Sequence, residues 1–224
     1  MSIRANYERE LKSIFDNLVL MCRHNEVAIE KCVKSLTERD FELAKEVFEE
    51  DKQIDKLERD IEQACLKILL MEHPVASDFR EVSAALKMIT DLERIGDQAR
   101  DIAEITMQFG DTGHIKKLEH IPKMAVIVIQ MVKDGVQAYI NRDLELARSL
   151  DNTDDKVDGL FNAVMADLIA LIKKNPDNAE QAIMFMMITK YLERIGDHAV
   201  NIGEWVEYAI TGNHPNSEEN EENE

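Results

Sequence analysis

The sequence is poor in the residues that build sheets and membrane spans. Four prolines, eight glycines and 5% aromatic residues among 224 positions are too few for an all-β fold, which needs frequent turns and strand formers between them. No uninterrupted apolar run approaches the roughly 18 residues that a membrane helix requires. We therefore predict a fold of long helices, with any membrane association peripheral.

Cysteine is scarce as well. Cys22, Cys32 and Cys65 are odd in number, show no CxxC spacing and follow no secretory signal. These features predict a cytoplasmic protein whose thiols stay reduced. We expect all three side chains to act as small buried hydrophobes.

Positive charge is in short supply, with 27 lysines and arginines against 45 aspartates and glutamates and a formal net charge of −18. Binding to nucleic acid depends on neutralising phosphates with basic side chains, so this balance argues against a nucleic-acid partner. It suits cations or basic protein surfaces instead. Glutamates crowd the chain after Pro215, and we predict that residues 213–224 form a disordered acidic tail.

An internal duplication is the strongest positive feature. The hexapeptide LERIGD occurs at Leu92–Asp97 and again at Leu192–Asp197, and the similarity extends through Glu104 and Glu204. A repeat of about 100 residues is much longer than the ~20–50 residues of a solenoid unit, so it indicates a domain-sized module. We call residues 1–110 module one and residues 114–212 module two.

Hydrophobic periodicity and breaker residues predict three helices in each module. The predicted ranges are 6–36, 41–71, 77–109, 116–140, 143–174 and 179–211, with Gly212 as the final cap. Three antiparallel helices joined by short loops form a bundle. The predicted fold is therefore all-α, with two pseudo-symmetric three-helix bundles.

Acidic residues recur on one face of these helices. At about 100° per residue, Glu93, Asp97 and Asp101 share a narrow face, and Glu193, Asp197 and Asn201 share the equivalent one. The preceding helices add Asp51 and Asp55 in module one and Asp154 and Asp158 in module two. Like charges at this spacing destabilise a helix, and a bound cation would compensate for them. Carboxylate and carbonyl oxygens suit Mg, Mn, Ca or iron, so these ten residues are candidate metal ligands.

Simpler interpretations of the same residues remain open. Arg94 and Arg194 could form ordinary ion pairs with the aspartates three residues later, and Arg100 could add to these pairs in module one. Gly96 and Gly196 would then mark only the close approach of a neighbouring helix. His198 lies off the acidic face and is expected to be a flanking residue. A carboxylate-bridged metal oxidase of the ferritin-like kind is disfavoured, because the Glu-x-x-His motif of such sites is missing from the sequence.

The chain resembles the PhoU family of accessory and regulatory proteins of phosphate transport, from about Tyr7 to Gly212. The segments that carry the resemblance are Arg39–Glu58, His73–Arg80, Asp91–Glu104 and Tyr191–Trp205. It implies paired three-helix bundles, a homodimer, and iron or zinc at the Glu-x-x-x-Asp motifs. Arg100-Asp101 departs from the family pattern of a small or apolar residue followed by Asn, which makes a metal less expected in module one.

The resemblance also implies a function. Such proteins are regulators without an active site, and they act as negative regulators of phosphate uptake and phosphate-starvation signalling. The implied partners are the high-affinity phosphate ABC transporter, through its ATPase component, and a sensor histidine kinase. A metal-free helical adaptor with the same partners is the alternative.

Overall fold

Six α-helices account for most of the computed structural model, which describes residues 3–71, 74–110, 113–116 and 118–214. Their bounds are α1 Ile3–Glu38, α2 Phe41–Met71, α3 Ala76–Gln108, α4 Ile121–Asn141, α5 Leu144–Lys174 and α6 Ala179–Thr211. The described ranges contain no strand, so the predicted all-α fold is confirmed. Pro215–Glu224, which make up most of the predicted acidic tail, lie outside the described residues.

Helix ends follow the local chemistry of the chain. Asp143 caps α5 by accepting a hydrogen bond from the Leu146 N–H at 3.0 Å. At the end of α6, Gly212 adopts the left-handed conformation with φ of 86°, and its N–H donates to the Tyr208 carbonyl at 2.9 Å. The predicted bounds of α2 and the cap of α6 are confirmed.

The predicted start of the fourth helix at Lys116 is wrong. α4 begins at Ile121, with Pro122 in its first turn. Proline has no N–H and its ring clashes with the carbonyl four residues earlier, so it is tolerated in the first turn of a helix but not in its interior. Extending the helix back to Lys116 would place Pro122 inside it. A 3₁₀ turn, Pro176–Asn178, was also not predicted.

Helices α1–α3 pack together in module one and α4–α6 in module two, and α3 of the first bundle lies along α6 of the second. The equivalent residues Leu92 and Leu192 are both fully buried, as are Ile95 and Ile195. The apolar residues of each LERIGD motif therefore belong to the core, which leaves the acidic positions of the motif on other faces.

All three cysteines are free and buried, as predicted. Burial raises the pKa of Cys22 and of Cys65 to about 12, so these thiols stay protonated at neutral pH. No helix within the described ranges is long and apolar enough to span a bilayer.

Candidate functional site

Each LERIGD glycine is a point of close helix approach. A Cβ built on Gly96 would lie 2.9 Å from Ile54 Cδ1 of α2, and a Cβ built on Gly196 would lie 2.5 Å from Asp154 Oδ1 of α5. The absence of a side chain lets the preceding helix pack closely against the motif, which confirms the predicted role of both glycines. This packing brings the aspartates of α2 and α5 next to the acids of α3 and α6.

In module one, the acids of two helices converge on an arginine. Arg100 of α3 places Nη1 2.9 Å from Asp51 Oδ2 of α2 and Nη2 2.8 Å from Asp97 Oδ1. The same Nη2 lies 3.8 Å from Asp101 Oδ1. Asp51 is only 8% exposed. One planar guanidinium therefore neutralises carboxylates from both helices.

A second arginine covers the outer side of the module-one acids. Arg94 Nη1 lies 3.0 Å from Asp97 Oδ2, and its Nε lies 3.4 Å from Glu93 Oε2. The simpler interpretation of Arg94 as an ion-pair partner is thus confirmed. Partial burial and the neighbouring Asp97 raise the pKa of Glu93, against the opposing effect of Arg94. Asp55 lies close enough to contribute to this shift.

In module two, the equivalent acids have much less compensation. Burial, together with Asp197, Asp158 and Glu193, raises the pKa of Asp154 to about 6. Asp154 Oδ1 is buried and accepts no hydrogen bond from the described residues. Partial burial and the charge of Glu193 also raise the pKa of Asp197. The charges of Asp158, Glu193 and Asp197 therefore all act against the ionisation of Asp154.

The cations around the module-two acids are few and peripheral. Lys190 pairs with Glu193 one helical turn along α6. Within the described residues no ion pair joins Arg194 to Asp197, so the pairing suggested by sequence spacing is not formed there. The position equivalent to Arg100 is Val200, which packs partly buried against the core. Module two therefore lacks the arginine that links two helices in module one.

Two of the candidate ligands, Asn201 and Asp101, lie at the contact between the modules. Asn201 Nδ2 donates to Asp91 Oδ1 of α3 at 3.1 Å, and His198 Nδ1 lies 2.9 Å from the same oxygen. In the mirrored position, Tyr191 of α6 lies close enough to Asp101 of α3 for each group to shift the pKa of the other. Asp91 was not predicted from the sequence, because helix geometry alone does not show which residues face each other across the two bundles.

Comparison with known proteins identifies the family. The family model described as "PhoU domain" matches residues 18–106 and again residues 121–206, one match in each module. The chain belongs to the PhoU family. The sequence resemblance is therefore confirmed, and each of the ten candidate ligands lies within a PhoU domain.

Relatives with PhoU names align over most of the chain. A protein of Clostridium acetobutylicum, named a phosphate-specific transport system accessory protein PhoU homologue, is 32% identical over 93% of this chain and 96% of its own length. A homologue of the same name from Zymomonas mobilis is 36% identical over 84% of this chain and 79% of its own length.

Solved PhoU structures have the same fold. The crystal structure of PhoU from Pseudomonas aeruginosa superposes with a TM-score of 0.87 and 31% identity, covering 92% of this chain and all of that one. A PhoU structure from Streptococcus pneumoniae, described as a phosphate transport system regulatory protein, superposes with a TM-score of 0.82 at 24% identity. At that identity, the second likeness shows the fold alone.

The side chains as placed do not form a complete metal site. Among the residues that the structure describes, no group of three or more His, Cys, Asp or Glu side chains is arranged so as to hold a metal ion. The two PhoU domains nevertheless differ in the side-chain oxygens that they could offer to a metal ion. In module one, Arg100 lies between the carboxylates and does not fit a metal. In module two, a buried oxygen of Asp154 without a partner, beside three further carboxylates, fits a hard cation.

Proposed function

We propose that the protein is a negative regulator of phosphate uptake and of phosphate-starvation signalling. The observation that carries this proposal is the match of a PhoU domain to each module. A relative named as an accessory protein of the phosphate-specific transport system aligns over 96% of its own length, which supports a role in the same system. The regulator has no active site and works through its protein contacts.

The proposed partners are the ATPase component of the high-affinity phosphate ABC transporter and a sensor histidine kinase. In this role the protein works in the cytoplasm as a homodimer and reports the state of the transporter to the kinase. A net charge of −18 supports docking against basic protein surfaces rather than nucleic acid. Peripheral membrane association would follow from these partners.

Gene deletion tests the regulatory role. In phosphate-replete medium, we expect the deletion strain to express starvation genes or to take up phosphate without restraint, and a plasmid copy should restore control. Purified protein should also retain the transporter ATPase or the kinase in a pull-down. Normal starvation-gene expression and normal uptake in the deletion strain would remove the proposed function and leave the fold assignment intact.

We further propose that module two holds a cation. The residues that would hold it are Asp154, Asp158, Glu193 and Asp197, whose oxygens suit Mg, Mn or iron, with zinc also suggested by the family resemblance. Asp154 gives the main support, because its buried oxygen has no hydrogen-bond donor and its pKa is raised to about 6. A cation would supply the missing positive charge and draw the four carboxylates together.

A metal-free adaptor with the same partners is the second candidate. It is favoured by the finding that, across the described part of the chain, no three potential ligands are arranged for a metal. Elemental analysis of protein purified without chelator or affinity metal separates the two candidates. The variant combining Glu193→Ala with Asp197→Ala should lose metal and retain its helical content. Metal-free wild-type protein would select the adaptor. An unchanged metal content in the variant would show that Glu193 and Asp197 do not hold the metal.

A further inference from the structure

We propose that Arg100 is a built-in counter-cation for module one, so that an external cation at the repeated acidic motif binds in module two alone. The inference rests in part on the proposed function, which places a cation site at this motif. It adds that module one carries its own counter-cation, supplied by one side chain, and takes no external ion. The charge of Arg100 alone made a metal less expected in module one. The placement of its guanidinium, between Asp51 and Asp97, shows how it would exclude one.

The guanidinium of Arg100 occupies the space between two helices. Its two terminal nitrogens bond separate carboxylates, Asp51 of α2 at 2.9 Å and Asp97 of α3 at 2.8 Å. Their oxygens are the ones that an ion bridging the helices would need as ligands. The planar guanidinium matches this geometry without the dehydration that a divalent ion requires.

The environment of Arg100 differs from that of an ordinary surface pair. Its side chain is 32% exposed and that of Asp51 is 11% exposed, whereas Arg94 is 54% exposed. Charges that are partly withdrawn from water interact more strongly than exposed ones. Arg100 therefore offsets part of the effect of burial on Asp51, and it would repel a metal ion placed among the same oxygens.

Module two shows the arrangement without the arginine. At the equivalent position, Val200 contributes no charge, and Asp154 directs a buried oxygen towards Gly196 with no hydrogen-bond partner in the described residues. Lys190 pairs with Glu193 of its own helix and lies over the Phe161 ring of α5, but no ion pair in the described residues joins it to a carboxylate of α5. The same scaffold thus has an internal cation in one copy and none in the other.

Reciprocal exchange of these two residues tests the inference. Mn²⁺ binding would be counted by equilibrium dialysis of the full chain, and melting temperature would be followed as Mn²⁺ is added. We expect Arg100→Val to bind about one more Mn²⁺ per chain than the wild type and to gain more melting temperature from the ion. We expect Val200→Arg to lose the ion of module two.

Two matched variants guard against simple structural effects. Arg100→Gln keeps a long polar side chain without charge, and it should gain the same ion even if Arg100→Val folds poorly. Arg94→Gln removes the exposed arginine that also touches Asp97 and leaves Arg100 in place. Its Mn²⁺ count should match that of the wild type.

Each outcome supports or overturns the inference. If both Arg100 variants fold and neither gains an ion, Arg100 does not take the place of a cation. The inference also fails if Glu93→Ala with Asp97→Ala removes an ion from the wild type, because module one would then be occupied already. If the wild type binds no Mn²⁺ and Arg100→Val binds one, the role of Arg100 as a counter-cation is supported, and the cation assigned to module two is overturned.

Discussion

In module one, Arg100 bonds both Asp51 and Asp97 and so links two helices. In module two, the equivalent residue is Val200, and Asp154 has a buried oxygen with no hydrogen-bond partner in the described residues. The acids themselves occupy corresponding positions in both copies. The duplicated backbone therefore fixes where the carboxylates lie, and one side chain decides how their charge is balanced.

The difference shows that an acidic motif is not a sufficient description of a site. Carboxylates that share a helix face destabilise the folded state unless a cation, a proton or a hydrogen-bond donor compensates for their charge. Module one has that cation in its own sequence. Burial still raises the pKa of Asp51 there, but the shift is larger at Asp154 of module two, where no arginine pairs with the carboxylate.

The largest expected effect comes from removing the internal cation. Arg100→Gln should destabilise the metal-free protein by about 2 kcal/mol, because it leaves the buried Asp51 without its ion-pair partner and Asp97 with Arg94 alone. Urea unfolding in EDTA at pH 7 measures this loss. The control, Arg94→Gln, removes a more exposed pair and should cost about 0.5 kcal/mol or less. Equal losses in the two variants would contradict the central role given to Arg100.

A packing difference between the modules predicts a somewhat smaller effect. A Cβ on Gly203 would lie 2.9 Å from the Ala147 carbonyl oxygen, whereas module one has Ala103 at the equivalent position. Gly203→Ala should therefore destabilise the protein by about 1–2 kcal/mol through overpacking against the α5 backbone.

Thermal unfolding measures this effect, and Gly159→Ala is the control. Gly159 lies within α5, and a Cβ added there would meet nothing within 4 Å. Its substitution should stabilise the helix by roughly 0.5–1 kcal/mol. If Gly203→Ala were neutral, the closer helix approach in module two would have no energetic consequence.

The smallest effect is a pH dependence that is strongest in module two. The pKa of Asp154 is raised from 3.8 to about 6, so between these values the folded state holds a proton that the unfolded state has released. The free energy of unfolding therefore falls as pH rises through this window. Asp154→Asn removes the penalty and should be more stable than the wild type at pH 7 by about 1 kcal/mol, allowing for solvent screening.

Unfolding in EDTA at several pH values measures the Asp154 effect. The stability difference between Asp154→Asn and the wild type should be present at pH 7 and should vanish below about pH 4, where the unfolded state also binds the proton. If the stability difference between Asp154→Asn and the wild type did not change with pH, the titration of Asp154 would not be its cause. Asp158→Asn is the matched control, because Asp158 is exposed on the same helix.

Much of the fold follows from local sequence signals. The 100-residue repeat and the break before Pro176 predicted the modules and the end of α5, since these depend on periodicity and on the chemistry of single residues. The start of α4 was misplaced because the apolar pattern was followed upstream past Pro122. The 3₁₀ turn after Asn175 depends on an Asx hydrogen bond to the Asp177 N–H, at 3.1 Å, which the pattern did not reveal.

The site was predictable only in part. Helix geometry placed Glu93 and Asp97 on one face correctly, and Arg100, seven residues after Glu93, lies nearly two turns along the same face. That spacing was a usable signal for Arg100. The bond to Asp51, 49 residues away, and the contact between Asp91 and Asn201 depend on how separate helices pack, which a single-helix projection does not contain.

The most direct test of the difference between the modules is the metal content of two double variants purified side by side without chelator or affinity metal. One combines Glu93→Ala with Asp97→Ala, and the other combines Glu193→Ala with Asp197→Ala. We expect the wild type and the first variant to carry the same metal content and the second to lose its metal. Loss of metal in the first variant, or the same content in both, would contradict the assignment of the cation to module two.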